Sequence, residues 1–214
     1  MNEAQKLSNE LKDIKQMMER SSRFISLSGL SGIAAGVCAL AGAWVANSLI
    51  NKNTTLDLRQ SATLPDSIIH GDFFNSRLMQ VAIITFIAAF LSAFIFTYRR
   101  SKKTNVPIWG AVAKRLMINI GIPMIAGGIF LLALIKNGVY EFAAPGCLIF
   151  YGLGLLNASK YTLPEIRYLG YAEIILGLLC LYFTGDGLYF WAAGFGLLHI
   201  IYGVFMWWKY EMKP

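Results

Sequence analysis

The chain has 214 residues, 56% of them hydrophobic and only 14% charged, with a net charge of +7. A soluble domain carries about 25% charged residues, so this composition excludes an ordinary water-soluble enzyme. The excess of positive charge reads as a membrane-orientation signature and gives no case for nucleic acid.

Residues 2–23 read as an amphipathic cytoplasmic helix. Leu7, Leu11, Ile14, Met18 and Ile25 follow helical steps, with Glu10, Lys12, Lys15 and Glu19 on other faces. Its apolar stripe is expected to cover the bundle or the lipid surface. Six apolar segments follow, at 24–50, 76–98, 116–135, 139–157, 166–183 and 187–208. Crossing a hydrocarbon layer of about 30 Å takes ~20 apolar residues per helix. Backbone groups in lipid must be satisfied within each segment, which predicts helices rather than strands.

Between the first two segments, residues 51–75 predict an aqueous outer loop. Its Asp66, His70 and Asp72 are too scattered to make a metal site. The second and third segments are joined by a basic stretch, with Arg99, Arg100, Lys102, Lys103, Lys114 and Arg115 flanking Trp109. Such a cluster attracts anionic lipid headgroups. Fifteen of the nineteen Lys and Arg residues fall on that side of the membrane; the exceptions are Lys52, Arg59, Arg77 and Lys136. Basic loops stay cytoplasmic, so both termini are expected inside. Cys38, Cys147 and Cys180 all lie within apolar segments, and no Cys/His zinc spacing is present.

The chain repeats itself. Sliding it by 49 residues pairs 121–161 with 170–210, and twelve of the forty-one positions are identical. The shared turn is the clearest match, Asn137-Gly138-x-Tyr140 against Asp186-Gly187-x-Tyr189. The first segment fits the same template at an offset of 92, Gly29 and Gly36 falling on Gly121 and Gly128. The expected fold is an all-α integral membrane protein of six transmembrane helices, in three consecutive hairpins of parallel orientation. These hairpins are 24–98, 116–157 and 166–208, within a transmembrane domain spanning 24–214. Parallel repeats of this kind occur in some transporters.

Seven-residue glycine spacing recurs in four segments: Gly29 and Gly36, Gly121 and Gly128, Gly170 and Gly177, Gly196 and Gly203. Gly32 adds a GxxxG with Gly36. In lipid such faces let helix backbones approach closely, so all nine are expected to pack helices, within the monomer or in a homo-oligomer.

Two ionisable groups lie well inside the apolar segments, Glu173 and His199. An acidic residue near mid-helix costs about 2.5–3.5 kcal/mol on insertion scales, which calls for a partner or a purpose. Each stands three residues after one glycine of its helix and four before the next. Both lie some thirteen positions from the turn between them, about 19 Å along a helix. A hydrogen bond between them across the third hairpin is therefore expected. Met124 and Phe150 hold the matching positions of the second hairpin. Asn119, Tyr151, Tyr171 and Tyr202 are candidates to extend a polar path from the pair.

Nothing else suggests chemistry. There is no H-E-x-x-H motif, nucleophile elbow or phosphate-cradling loop, and no nucleophile or metal cluster accompanies the pair. No cofactor and no catalytic residue are expected, and no motif is specific enough to name a family. The expected role is a non-enzymatic membrane protein handling a small solute, ion or lipid in a cavity near Glu173 and His199. The alternative is a structural or regulatory subunit binding partner helices through its glycine faces. A bacterial inner membrane is the expected location.

Overall fold

The computed structural model describes residues 28–60, 77–104, 109–183 and 185–212, together with residue 5, and for 52–60 the backbone alone. The amphipathic segment 2–23 and the loop residues Asp66, His70 and Asp72 lie outside the described residues. Helices α1 (Gly29–Gln60), α2 (Arg77–Thr104), α3 (Ala111–Lys136), α4 (Ala143–Ala158), α5 (Ile166–Cys180) and α6 (Gly187–Tyr210) follow in order, with no strand among the described residues. Four helices are long and apolar enough to cross a membrane: the 23 residues Gly29–Asn51 of α1, and α2, α3 and α6. At 16 and 15 residues, α4 and α5 are about 24 and 22 Å long, shorter than the hydrocarbon layer.

Two boundaries differ from expectation. Residues 51–60 continue α1 instead of opening a loop, because no Gly or Pro stands between Ala43 and Gln60 to stop the helix. Likewise α2 runs through Thr104, so Arg99, Arg100, Lys102 and Lys103 occupy its last turns. Basic residues there complement the helix dipole.

The helices fall into two groups. In one, α1 packs against both α2 and α6; in the other, α4 packs against both α3 and α5. The second hairpin therefore closes on itself, α3 against α4, while the third does not. Its α5 lies on α4 and its α6 on α1, with few contacts between them. The turns differ as well. Gly138 ends the α3 turn at φ 76°, a left-handed conformation that favours glycine. Its counterpart by backbone conformation is Gly185, at φ 107°, and not the sequence-aligned Gly187, which begins α6.

The glycines explain the pairing. A methyl group on Gly29 would meet the Trp207 backbone, one on Gly32 would crowd the Cα of Gly203, and one on Gly203 would meet the backbones of Ile33 and Gly29. The α1–α6 contact is thus backbone against backbone, held by van der Waals packing. At its centre Gly36 faces the Gly196 carbonyl and the Ile200 side chain. The α4–α5 crossing repeats this geometry, with Gly152 facing the Gly170 carbonyl and the Ile174 side chain. Further along, Gly177 sits against Leu148, Ile149 and the Pro145 carbonyl.

Gly121 and Gly128 require a correction. A methyl group at either would meet no described atom. The α3–α4 interface uses the neighbouring face instead, where Gly127 receives Phe150 and Gly146 receives Leu131. Repetition preserved the glycine spacing on α3, but α3 turns another side toward its partner.

Candidate functional site

The two crossings aim the polar residues at each other. Glu173 belongs to Gly170-Tyr171-Ala172-Glu173-Ile174 and His199 to Gly196-Leu197-Leu198-His199-Ile200. In each, the glycine and the isoleucine dock on a small residue of the neighbouring helix, Gly152 on α4 or Gly36 on α1. The polar side chain one place before the isoleucine is left facing the joint between the two helix groups. Glu173 is 0% exposed and His199 7%, and Glu173 Oε1 lies 3.4 Å from His199 Nδ1.

Proximity does not bring the expected hydrogen bond. The Nδ1–H donates to the Gly194 carbonyl at 3.0 Å, and Nε2 lies 2.7 Å from the Tyr151 hydroxyl. A carbonyl can only accept, so Nδ1 carries the hydrogen and the neutral ring accepts from Tyr151 at Nε2. The carbonyl belongs to Ala192–Leu198, where α6 winds as a π-helix. Such turns recur at functional sites. The small size of Gly194 matters too: a methyl there would strike Leu148 and Glu173 Oε2. Around the imidazole, Tyr151 and Phe195 stand with ring centroids 5.3 and 5.9 Å away.

Neither oxygen of Glu173 has a hydrogen-bond partner among the described residues. A lone buried carboxylate is costly, so the group needs either its proton or a charged imidazole beside it. Two proton arrangements suit the geometry: neutral acid with neutral imidazole, or carboxylate with imidazolium. They carry the same net charge and differ only in where one proton rests.

A cavity of about 170 Å³ adjoins the imidazole side of this group. It runs between the two helix groups, with Ser28, Gly32 and Ala35 of α1, Ala93 of α2, Tyr151 and Leu155 of α4, Ile166 and Leu169 of α5, and His199, Tyr202 and Met206 of α6 on its walls. The Tyr202 hydroxyl is buried without a hydrogen-bond partner among the described residues. Glu173 is not on the wall, but the imidazole 3.4 Å from it is.

The other candidates divide. Tyr151 and Tyr202 join the site, whereas Tyr171 is 52% exposed on the outer surface of α5. Asn119 bonds the Arg115 carbonyl of its own helix at 2.8 Å, which satisfies it locally. Arg99, Lys102, Lys103, Lys114 and Arg115 are exposed at one end of the molecule, beside the 74%-exposed Trp109. Arg100 departs from that group. Its guanidinium turns inward to Glu211 at 2.6 Å and is only 11% exposed, so it is not open to lipid.

Two carboxylates escaped the sequence reading. Glu211 accepts from Arg100, from the Ser28 hydroxyl at 3.0 Å and from the Gly29 N–H at 2.6 Å. Glu165 accepts from Lys209 Nζ at 2.5 Å and from the Tyr210 hydroxyl at 2.8 Å. Burial alone would raise the Glu165 carboxyl, but these two hydrogen bonds prevail and hold it below the ordinary carboxylate range. The available signal was that both are acidic residues on the otherwise basic side of the chain.

No protein-family model, curated protein or solved structure matches this chain. The site therefore rests on its own geometry.

Proposed function

We propose that the chain is an integral membrane protein that binds and passes a small solute through the cavity between its helix groups, in step with proton movement at Glu173. Six helices cross the bilayer in this reading, with the basic end and both termini cytoplasmic, as in a bacterial inner membrane. The short α4 and α5 cross with help from the turns flanking them. The solute leaves chemically unchanged.

One observation carries this reading: the cavity touches Tyr151 and His199, and His199 Nδ1 lies 3.4 Å from a buried carboxyl that has no hydrogen-bond partner among the described residues. Within the carboxylate–imidazolium pair Nδ1 gives its hydrogen to Glu173, which leaves the neutral acid beside a neutral ring protonated at Nε2, donating to the Tyr151 hydroxyl on the cavity side. The reverse step returns the hydrogen to Nδ1, so the pair stays neutral throughout and no lone carboxylate is formed. The aromatic rings beside the imidazole support its charged form. The five exposed basic residues near Trp109 hold anionic headgroups at the cytoplasmic surface.

Vesicles of phosphatidylethanolamine and phosphatidylglycerol, loaded with a pH-sensitive dye, test the proposal. The protein is expected to dissipate an imposed pH step faster than empty vesicles, and Glu173→Gln to return the rate to the empty level. Equal rates for the wild type and Glu173→Gln would refute the relay.

A second reading has its own support. Gly121 and Gly128 form an open face on α3, suited to a partner helix or a second copy of the chain. A Gly128→Leu variant that dissociates an otherwise stable oligomer in mild detergent would favour that role.

A further inference from the structure

We propose that the C-terminal tip of α6 is a latch that closes the basic end of the cavity, with Glu211 as its releasing group. The proposal rests on the cavity described above but not on the proton relay. The cavity reaches from Ser28, Gly29 and Met206 to Ala35 and His199. Seven residues separate its two ends on both α1 and α6, about 10 Å of helix. The polar group lies at one end and the latch at the other.

At the latch, one carboxylate gathers three helices. Glu211, one residue beyond α6, accepts from Ser28 and Gly29 at the start of α1 and from Arg100 of α2. The first N–H groups of a helix have no partner within it, and its dipole favours a negative charge there. Opposite, Glu165, the residue preceding α5, takes Lys209 and Tyr210 from the last turn of α6. Ser28, Gly29 and Ile166, which carry or adjoin these contacts, are cavity-wall residues. The end of α6 is thus tied to one helix group through its own Glu211 and to the other through Glu165, across the cavity's basic end.

This clasp of side-chain hydrogen bonds differs from the rest of the α1–α6 seam, which is backbone packed on glycine. Opening the latch exposes a helix N-terminus, an arginine and a carboxylate at the aqueous boundary, where water or headgroup phosphate satisfies them. The open state therefore strands no polar group in lipid. The geometry provides a reversible element where access would be controlled.

Cysteine labelling tests this in the full chain reconstituted in vesicles. The background carries Cys38→Ser, Cys147→Ala and Cys180→Ala, and Ala35→Cys places one thiol on the cavity wall. Its reaction with a charged, membrane-impermeant methanethiosulfonate is expected to be slow in the parent. Adding Glu211→Gln should raise the rate at least tenfold from the basic side only. Arg100→Gln removes one donor and should give a smaller rise, which keeps the test open if Glu211→Gln does not fold. Equal rates in all folded variants, or no reaction in any, would overturn the latch. Labelling that responds to Glu211 while proton flux is absent would instead overturn the relay and leave the latch standing.

Discussion

The second and third hairpins share twelve of forty-one aligned positions and pack in opposite ways. In the second, α3 and α4 meet face to face, with Phe150 against Gly127 and Phe130 and with Met124 near Gly154. In the third, α5 and α6 part, each docking through a Gly-x-x-x-Ile step on a glycine of another helix. The positions that hold Met124 and Phe150 in the closed hairpin hold Glu173 and His199 in the open one. A dry interface accepts two apolar side chains there. A joint with a cavity beside it accepts two ionisable ones. The splay of the third hairpin is therefore what makes a polar site affordable in lipid.

The largest test of this contrast is at the seams. Gly203→Val places atoms inside the backbones of Ile33 and Gly29 and is expected to abolish the folded protein or destabilise it by about 3 kcal/mol or more. Gly128→Ala meets nothing and should leave stability unchanged or raise it by up to about 1 kcal/mol. Thermal unfolding in detergent checks both, and equal sensitivity would contradict the assigned faces.

Exchanging the pairs comes next. Met124→Glu with Phe150→His puts the polar pair into the closed hairpin and should cost about 2–3 kcal/mol. The reverse exchange, Glu173→Met with His199→Phe, should change stability by less than about 1 kcal/mol in either direction while ending proton flux. A large loss from the reverse exchange would mark the pair as a structural clasp.

Tyr151→Phe should have a smaller effect, about 1 kcal/mol from one lost hydrogen bond. Its coupling to His199→Phe in a double-mutant cycle should be about 0.5–1.5 kcal/mol, whereas strict additivity would deny the contact.

The smallest effect is at the surface. The Glu165 carboxyl is held below its ordinary value of 4.5, so its contribution is complete above that pH and is lost as pH falls through the lowered value. Glu165→Gln should melt slightly earlier than the wild type at neutral pH, and the gap should close as pH falls through the lowered value. A gap that persists in acid would show that Glu165 acts through packing alone.

Much of this was legible in the sequence, and the remainder was hidden for definite reasons. Apolar length marked the helices, and glycine register put Glu173 and His199 on packed faces. That register tells which side of a helix is packed but not what packs on it. It therefore suggested α5 against α6, where the structure pairs α5 with α4 and α6 with α1. Open glycines look like packed ones in sequence, which is why Gly121 and Gly128 misled. The π-helical turn that carries the Gly194 carbonyl depends on tertiary fit and has no local signature. The Glu211 cluster joins residues more than a hundred positions apart in the chain, beyond any periodicity.

Proton exchange at Glu173 tests the central claim most directly. Infrared spectra of the reconstituted protein, with the carboxyl band assigned by its loss in Glu173→Gln, can be followed after transfer to heavy water. Passage through Tyr151 and His199 predicts a band shift within minutes in the wild type, slowed at least tenfold in Tyr151→Phe. A band that stays unshifted for a day, or that shifts equally fast without the Tyr151 hydroxyl, would contradict it.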